Sequence, residues 1–501
     1  MPLANAKIFR NIFALLKKHN EIIALTLLCL GVFFYGIGLN KIGKNFGAQS
    51  FVLIGGAIFI LCNFKKFSKI DLKILAIPLI CVGILLILAL LTYFDTILPP
   101  KNFAALIKTI NSNILGYFVY FIVCYLFARY ADRKLAWIPL YCLVFICVIN
   151  VSAMIYLVLQ NGFYHENFKQ NVPFFFPSIT AYNVWIPLPL AISLAGIFVF
   201  KAIKARVFFI CCFLASIIAM IGNGERSFFV AFAVMIFIPF FVYKYAFKKW
   251  ILLALCFISI IFFYSIYHFS KDLPPRYNAH NAINNLNTIW NTPPIEMGKY
   301  DKSCFGSKWL KCSEESIKNG PSEISLEHSA LSRINMTKST LLAFLDKPFT
   351  PRVPDVLKTG QYLHEYYKLH NPQNGSYIKS MERGKRGTIL YYNHTHNFIA
   401  GLLFCYGIIG FMAIVVSMGY LLFIAYKGTK YGDSKTKVLG LALIIFMIGL
   451  CVHICFDAFL VMMIQTIFII LGLSIGILTR NKNIINQNSH KYYGASQIAQ
   501  R

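Results

Sequence analysis

Residues 74–91 read ILAIPLICVGILLILALL, a run of 18 residues without a charged side chain. An apolar run of this length spans the hydrocarbon core of a bilayer as one α-helix. Comparable runs recur near 21–40, 47–63, 72–93, 113–129, 135–159, 179–200, 206–222, 228–243, 250–268, 397–426, 438–457 and 458–479. The sequence therefore predicts an all-α polytopic membrane protein with about twelve transmembrane helices.

The composition of the 501 residues excludes several other classes of protein. Apolar residues make up 58% and charged residues 13% of the chain, and the mean hydropathy is +0.63. Soluble domains carry about 25% charged residues, so this chain lacks the polar surface of a soluble or disordered protein. The formal net charge of +29 does not indicate nucleic-acid binding, because most basic clusters lie between the apolar runs.

The distribution of Lys and Arg orients the predicted helices. Basic residues are concentrated in alternate connections and sparse in the others, and the positive-inside rule then places both termini in the cytoplasm. The predicted organisation is a cytoplasmic N-terminal segment (1–20), transmembrane helices 1–9 (21–268), a periplasmic loop domain (269–396), transmembrane helices 10–12 (397–479) and a cytoplasmic tail (480–501).

The long polar segment 269–396 departs from this pattern. It holds most of the 19 acidic residues of the chain, and loops of this length are generally functional or form a small domain. The apolar positions within 327–346 predict an amphipathic helix in this segment. Cys304 and Cys312 predict a disulfide, because the outer side of a bacterial inner membrane is oxidising. A zinc site is the alternative, although no third ligand stands nearby.

Ionisable residues are nearly absent from the interior of the predicted transmembrane helices. Ion-coupled transporters and pumps place such residues at mid-membrane, and many transporter folds contain internal repeats, which this sequence does not show. The charged side chains that could support chemistry lie at the predicted outer surface instead. This pattern favours an enzyme at the outer leaflet over an ion-coupled carrier.

The hairpin Asn223-Gly224-Glu225-Arg226-Ser227 is the first candidate site segment. The guanidinium of Arg226 can grip a phosphate with two parallel hydrogen bonds. The alternative is a tight turn from which Arg226 extends to the lipid headgroups.

The second candidate segment runs from Tyr391 to Asn397, where the long loop re-enters the membrane. His396 can act there as a general base. His394 and His396 could instead bind a metal, but two histidines without an adjoining carboxylate are an incomplete set of ligands. Surface histidines without a role are a third interpretation.

Other polar residues are weaker candidates. Arg333, within the amphipathic segment, is either a second phosphate ligand or a solvated surface residue. His453 and Asp457 are one helical turn apart and either orient a substrate or form a buried pair. Gly407 and Gly410 indicate close helix packing. The chain contains no Asp-x-Asp motif, which is the usual divalent-ion site of membrane glycosyltransferases.

Three short stretches resemble the O-antigen ligase family, which comprises bacterial lipopolysaccharide ligases and has O-antigen polymerases as relatives. These stretches surround Arg226, Arg333 and the motif in which His396-Asn397 precedes Gly407-x-x-Gly410. The large outer loop and the predicted helices between about residue 20 and 480 are similar to the layout of that family. The resemblance implies a glycan donor on undecaprenyl pyrophosphate and a lipid A–core saccharide acceptor. The donor and the acceptor would meet on the periplasmic face of the bacterial inner membrane, and membrane lipid would be a further partner.

By position, the resemblance implies that His396 is the general base and that Arg226 and Arg333 bind the pyrophosphate. Asn397 and His394 would be further substrate-binding residues. No cofactor or metal is expected, so the arginines would neutralise the leaving phosphate in one inverting displacement. Two alternatives remain: an O-antigen polymerase that uses the same donor, and a non-enzymatic transporter (flippase) of lipid-linked saccharides.

Overall fold

A computed structural model describes residues 2–39, 47–162, 172–176, 182–242, 279–292, 328–370, 395–457 and 461–480, with single residues between 253 and 269. Within these ranges the chain is almost entirely helical, as the sequence predicts. The helices are α1 (Pro2–Gly36), α2 (Ala48–Asn63), α3 (Lys69–Leu91), α4 (Phe103–Ile110), α5 (Gly116–Tyr130), α6 (Arg133–Asn161), α7 (Pro187–Val199), α8 (Ile203–Asn223), α9 (Arg226–Val242), α10 (Ala279–Asn291), α11 (His328–Asp346), α12 (Thr359–His370), α13 (Phe398–Tyr431), α14 (Ser434–His453) and α15 (Val461–Leu478).

Eight helical stretches of the described residues are long and apolar enough to cross a membrane, and α7, α9 and α15 contribute shorter apolar helices. The protein is therefore an integral, polytopic membrane protein. Each of these helices overlaps one predicted span. The predicted span 250–268 lies largely outside the described residues, so the total of twelve stays a prediction.

The transmembrane helices pack side by side in a bundle that contains both antiparallel and parallel neighbours, such as the parallel pair α5 and α15. Helix α14 contacts α7, α9 and α13, while α5 contacts α15 and α1 contacts α2. The bundle core is apolar and rich in large side chains, among them Phe121, Trp185 and Phe446. Because α14 contacts three other helices along its length, its C-terminal end is enclosed on several sides.

One end of the bundle collects basic residues, and we call it the basic end. Asp71, at the start of α3, pairs with Arg129 (Oδ1–Nε 2.5 Å). Arg133, at the start of α6, pairs with Asp433 (Nη2–Oδ2 3.8 Å). The backbone carbonyl of Ala131 accepts a hydrogen bond from Arg480 (2.7 Å). The structure thus places at one end of the bundle the interhelical connections that the sequence predicts to be cytoplasmic. The orientation of the bundle in the membrane stays a prediction.

The segment 328–370 forms a second apolar core against α3, α4 and the first half of α13. Buried members of this core include Met336, Phe344, Tyr362, Leu363 and Phe404. The amphipathic helix predicted within 327–346 is present as α11. Packing on the bundle fixes α11 beside the start of α13.

Helix α13 is broken at Gly407, which has φ 65° and ψ −177°. The backbone of residues 347–352 inserts at the break: Ile408 N donates to Pro348 O (2.8 Å), and Arg352 N donates to Cys405 O (3.0 Å). The buried guanidinium of Arg352 lies 5.1 Å from the ring centroid of Phe404. The sequence predicts close packing at Gly407; the structure adds a backbone conformation that only glycine adopts readily.

Gly407→Ala is expected to reduce the free energy of unfolding by about 1–3 kcal/mol, the usual cost of a side chain in such a backbone region. The new Cβ would also lie 3.0 Å from Pro348 O. Thermal unfolding in detergent, followed by circular dichroism, measures the loss. Gly419→Ala is the matched control, because it lies in the same helix and a Cβ there would have no atom within 4 Å. Equal melting temperatures for the two variants would contradict the prediction.

Candidate functional site

A cluster of buried and half-buried polar side chains lies where α8 and α14 end and α9 and α13 begin, at the opposite end from Arg133. We call it the polar cluster. Its members are Asn183, Glu225, Ser227, Arg333, His396, His453 and Asp457. All members except Arg333 and His396 are buried. Buried polar groups are costly unless they are paired, so five of them together in an apolar bundle indicate a functional site.

The connection between α8 and α9 is short because Gly224 takes the left-handed conformation (φ 72°) and ends α8. Glycine adopts this conformation without the steric cost that a Cβ imposes. Helix α9 then begins at Arg226. Glu225 and Ser227 are consequently buried beside the end of α14.

The segment that carries His396 is fixed by backbone hydrogen bonds. His396 has φ 50°, an uncommon conformation for a residue other than glycine. The side-chain oxygen of Asn397 accepts from Ala400 N (2.9 Å) and caps α13. Phe398 N donates to Ile454 O (2.9 Å) and Asp457 O (3.2 Å). These bonds place His396 against the turn that follows α14, and they give Asn397 a capping role; its direct contact with a substrate stays a prediction.

Asp457 joins His396 to Arg333. Its Oδ1 lies 3.5 Å from His396 Nδ1, and its carboxylate is 1% exposed. Its Oδ2 lies 4.0 Å from Arg333 Nη2, and Arg333 Nη1 lies 3.4 Å from Glu225 Oε1. A carboxylate beside Nδ1 favours the tautomer with the proton on that nitrogen, so Nε2 is the ring nitrogen that can accept a proton.

The charge state of Asp457 follows from its neighbours. Burial by itself raises the pKa of this carboxyl, but the contact with His396 and the charge of Arg333 hold the pKa below its ordinary range. Asp457 is therefore ionised at neutral pH. An ionised carboxylate can orient His396 and stabilise the imidazolium that forms after proton transfer.

A second chain of contacts begins at His453. Its Nε2 lies 3.0 Å from Asn183 Nδ2, and its Nδ1 lies 2.7 Å from Ser227 Oγ. Because an amide nitrogen only donates, Nε2 accepts and Nδ1 donates to Ser227. The Ser227 hydroxyl then donates to Glu225 Oε1 (3.3 Å). The chain ends at the carboxylate that pairs with Arg333.

The structure corrects the predicted relation between His453 and Asp457. Helix α14 ends at His453, and residues 454–456 form a turn. Asp457 is therefore outside the helix, and the two side chains do not share a helical face. They instead contact separate parts of the polar cluster: His453 contacts Ser227 and Asp457 contacts His396.

The structure brings two of the predicted site residues, His396 and Arg333, to opposite sides of Asp457. Arg226 is the first residue of α9, between two members of the polar cluster, and its side chain lies outside the described residues. His394, Cys304 and Cys312 also lie outside them, so the predicted disulfide stays a prediction.

Asn183, Glu225 and Ser227 belong to the polar cluster although the sequence motifs assign no role to them. The sequence does contain a signal for Asn183, because it is an uncharged polar residue within an apolar run, two positions before Trp185. Polar residues in predicted membrane helices mark functional positions more often than they do in soluble helices.

A cavity of about 440 Å³ adjoins the polar cluster. Phe398 and Ile454, which are hydrogen-bonded to each other near His396, lie in its lining. Most of the remaining wall is apolar and comes from α5, α13, α14 and α15, with Asn113 and Asp355 as polar exceptions. Its volume and lining are typical of a site for a small or chain-like apolar ligand.

Residues 210–415 match the model of a protein family described as O-antigen ligase (Wzy_C). The matched range includes Glu225, Ser227, Arg333 and His396, and it ends before His453 and Asp457. No curated protein matches the chain.

Proposed function

We propose that the protein is a membrane glycosyltransferase, because residues 210–415 match the O-antigen ligase family model and the chain is a polytopic membrane protein. It moves a glycan from undecaprenyl pyrophosphate to a lipid A–core saccharide on the periplasmic face. The observation that carries the proposal is the convergence of His396 and Arg333 on the buried carboxylate of Asp457. These residues combine a base, the group that orients it and a cation in one site.

His396 is the general base in this mechanism. Its Nε2 removes the proton from the acceptor hydroxyl while the hydroxyl oxygen attacks the anomeric carbon of the donor. The bond between that carbon and the pyrophosphate oxygen breaks, and undecaprenyl pyrophosphate leaves with the electron pair. One displacement of this kind inverts the anomeric centre. A positioned base contributes about 10²–10⁴-fold to such a reaction.

The arginines stabilise the charge that develops on the leaving pyrophosphate. Glu225 and Asp457 hold the guanidinium of Arg333 from two sides, and this side chain remains 28% exposed. Arg226 supplies a second cation from the start of α9, where the helix dipole also favours an anion. Fixed positive groups at the site of developing charge are usually the largest contribution to catalysis.

The apolar cavity beside Phe398 and Ile454 accommodates part of the polyisoprenoid chain of the donor. An isoprenoid chain gains free energy when it fills an apolar cavity, whereas the pyrophosphate needs polar and charged partners. The position of the cavity next to the polar cluster meets both requirements. Chain binding would thus position the anomeric carbon near His396.

We expect transfer to be independent of divalent metal ions, because the arginines supply the positive charge. Among the residues that the structure describes, no three His, Cys, Asp or Glu side chains are grouped as a metal site. The measurement is the transfer rate in reconstituted vesicles with and without EDTA. Loss of activity in EDTA, with recovery on addition of Mg²⁺, would contradict the expectation.

The surface glycolipids of a strain that lacks the protein separate the proposed function from its alternatives. Loss of all capped lipid A–core, with polymer retained on the lipid carrier, supports a ligase. A single repeat unit on the core indicates a polymerase instead. Donor that is retained on the cytoplasmic face of the membrane indicates a transporter.

A further inference from the structure

A second cavity, of about 340 Å³, lies at the basic end of the bundle, away from the polar cluster. Helices α6, α7, α8, α14 and α15 form its walls. The wall residues are apolar or aromatic except for Lys435 and Ser474, and Tyr141 adds a phenolic hydroxyl. The proposed reaction leaves this cavity without a role.

Three basic residues, Lys435, Arg133 and Lys204, lie at one end of this cavity. Lys435 itself lines the cavity, and its Nζ lies 3.1 Å from Tyr141 Oη. Arg133 precedes the lining residue Trp137 by four positions on α6, and Lys204 precedes Phe208 by four positions on α8. Side chains four positions apart share one helical face. Three helices therefore present a cation at the same end of the cavity.

The local acidic groups do not cancel this charge. Asp433 pairs with Arg133 (3.8 Å) and also caps α14 by accepting from Thr436 N. Asp132 caps α6 by accepting from Lys134 N. Lys204 and Lys435 are exposed. The net potential at this end of the cavity is positive and favours an anionic group.

Aromatic residues lie between the cations and the apolar wall. The rings of Trp137 and Tyr141 are stacked at 6.1 Å, and those of Phe200 and Phe209 at 5.5 Å. Trp and Tyr concentrate at the level of lipid headgroups. The spatial order of cations, aromatic rings and apolar cavity matches the order of phosphate, glycerol region and acyl chain in a phospholipid.

From this order we infer that the cavity binds an anionic phospholipid. One acyl chain enters the cavity, and the lipid phosphate lies against Lys435 with Lys204 and Arg133 beside it. Basic pockets between transmembrane helices recognise anionic headgroups in this way. Each cation near the membrane surface is worth about fivefold in affinity for an anionic lipid. The site is separate from the polar cluster and does not depend on the proposed reaction.

Native mass spectrometry of the full chain, delipidated in detergent, tests the inference. The probes are phosphatidylglycerol and phosphatidylcholine with identical acyl chains. We expect phosphatidylglycerol to bind at least about fivefold more tightly, and Lys435→Ala to lower its affinity about fivefold without changing that of phosphatidylcholine. The matched control is Lys65→Ala, which removes an exposed cation that does not line the cavity.

A second variant tests the acyl-chain site. Ala442 lines the cavity, and Ala442→Phe fills part of it, so both lipids should bind less tightly. Equal affinities for the two lipids, or equal effects of Lys435→Ala and Lys65→Ala, would overturn the inference. Competition by glycerol 1-phosphate as strong as that by phosphatidylglycerol would also overturn it, because a free phosphate would then suffice.

Discussion

His396→Gln is expected to lower the rate of glycan transfer by about 10²–10⁴-fold, the usual contribution of a general base. Gln preserves polarity and approximate size but cannot take up a proton from the acceptor hydroxyl. Binding of the donor should change little, since the arginines contact the pyrophosphate in the proposed mechanism. The measurement is the initial rate in vesicles with purified lipid-linked donor and lipid A–core acceptor.

The control for this variant is His19→Gln. His19 is an exposed histidine on α1, and the substitution should leave the rate unchanged. Both variants should keep the melting temperature of the parent protein. A near-normal rate for His396→Gln would remove His396 from the role of base and with it the mechanism proposed above.

Asp457→Asn is expected to lower the turnover number by up to about 10⁴-fold, the effect of replacing the carboxylate that orients a general-base histidine by an amide. An amide in place of the carboxylate does not favour the Nδ1–H tautomer of His396, and it removes one of the two charges that hold Arg333. The variant should still bind donor. Separate measurement of kcat and KM distinguishes this positioning role from a loss of binding.

Asp346→Asn is the matched control, because Asp346 is exposed at the end of the helix that carries Arg333. It should not alter kcat. A change in KM alone for Asp457→Asn would assign Asp457 to substrate binding through Arg333 instead.

Asp457 also makes the stability of the fold depend on pH. Its pKa in the folded protein is lowered relative to the value of about 3.9 for an unfolded Asp. The ionised carboxylate therefore stabilises the fold above that pH, and the contribution is lost as the pH falls through the folded pKa. The difference in melting temperature between the parent protein and Asp457→Asn should stay constant from pH 8 to 5 and shrink below about pH 4.

The membrane fold is predictable from sequence because apolar runs of spanning length have few other stable environments. Helix α11 is also predictable, because the apolar positions of its sequence repeat with helical spacing. The break at Gly407 was not predictable, since a glycine in an apolar run is equally compatible with close packing. Only the inserted backbone of residues 347–352 requires the left-handed conformation.

The candidate site was predictable in part. Motif resemblance singled out His396 and Arg333, and the structure places both of them against Asp457. No pattern in the sequence connects Asn183 with Ser227, because both contact His453, which is more than two hundred positions away from each of them. Contacts of this kind depend on which helices are neighbours, and hydropathy does not determine helix neighbours.

The insertion of residues 347–352 into the break of α13 has a mechanical consequence. Arg333 lies on the helix that leads into this insertion, and His396 lies directly before the helix that receives it. The guanidinium of Arg352, in the inserted segment, packs against the rings of Tyr366 and of Phe404 on α13. These contacts hold the inserted segment against α13. We therefore expect α11 and the start of α13 to move as one unit, so that the spacing between the Arg333 guanidinium and the His396 imidazole stays constant if residues 328–370 shift.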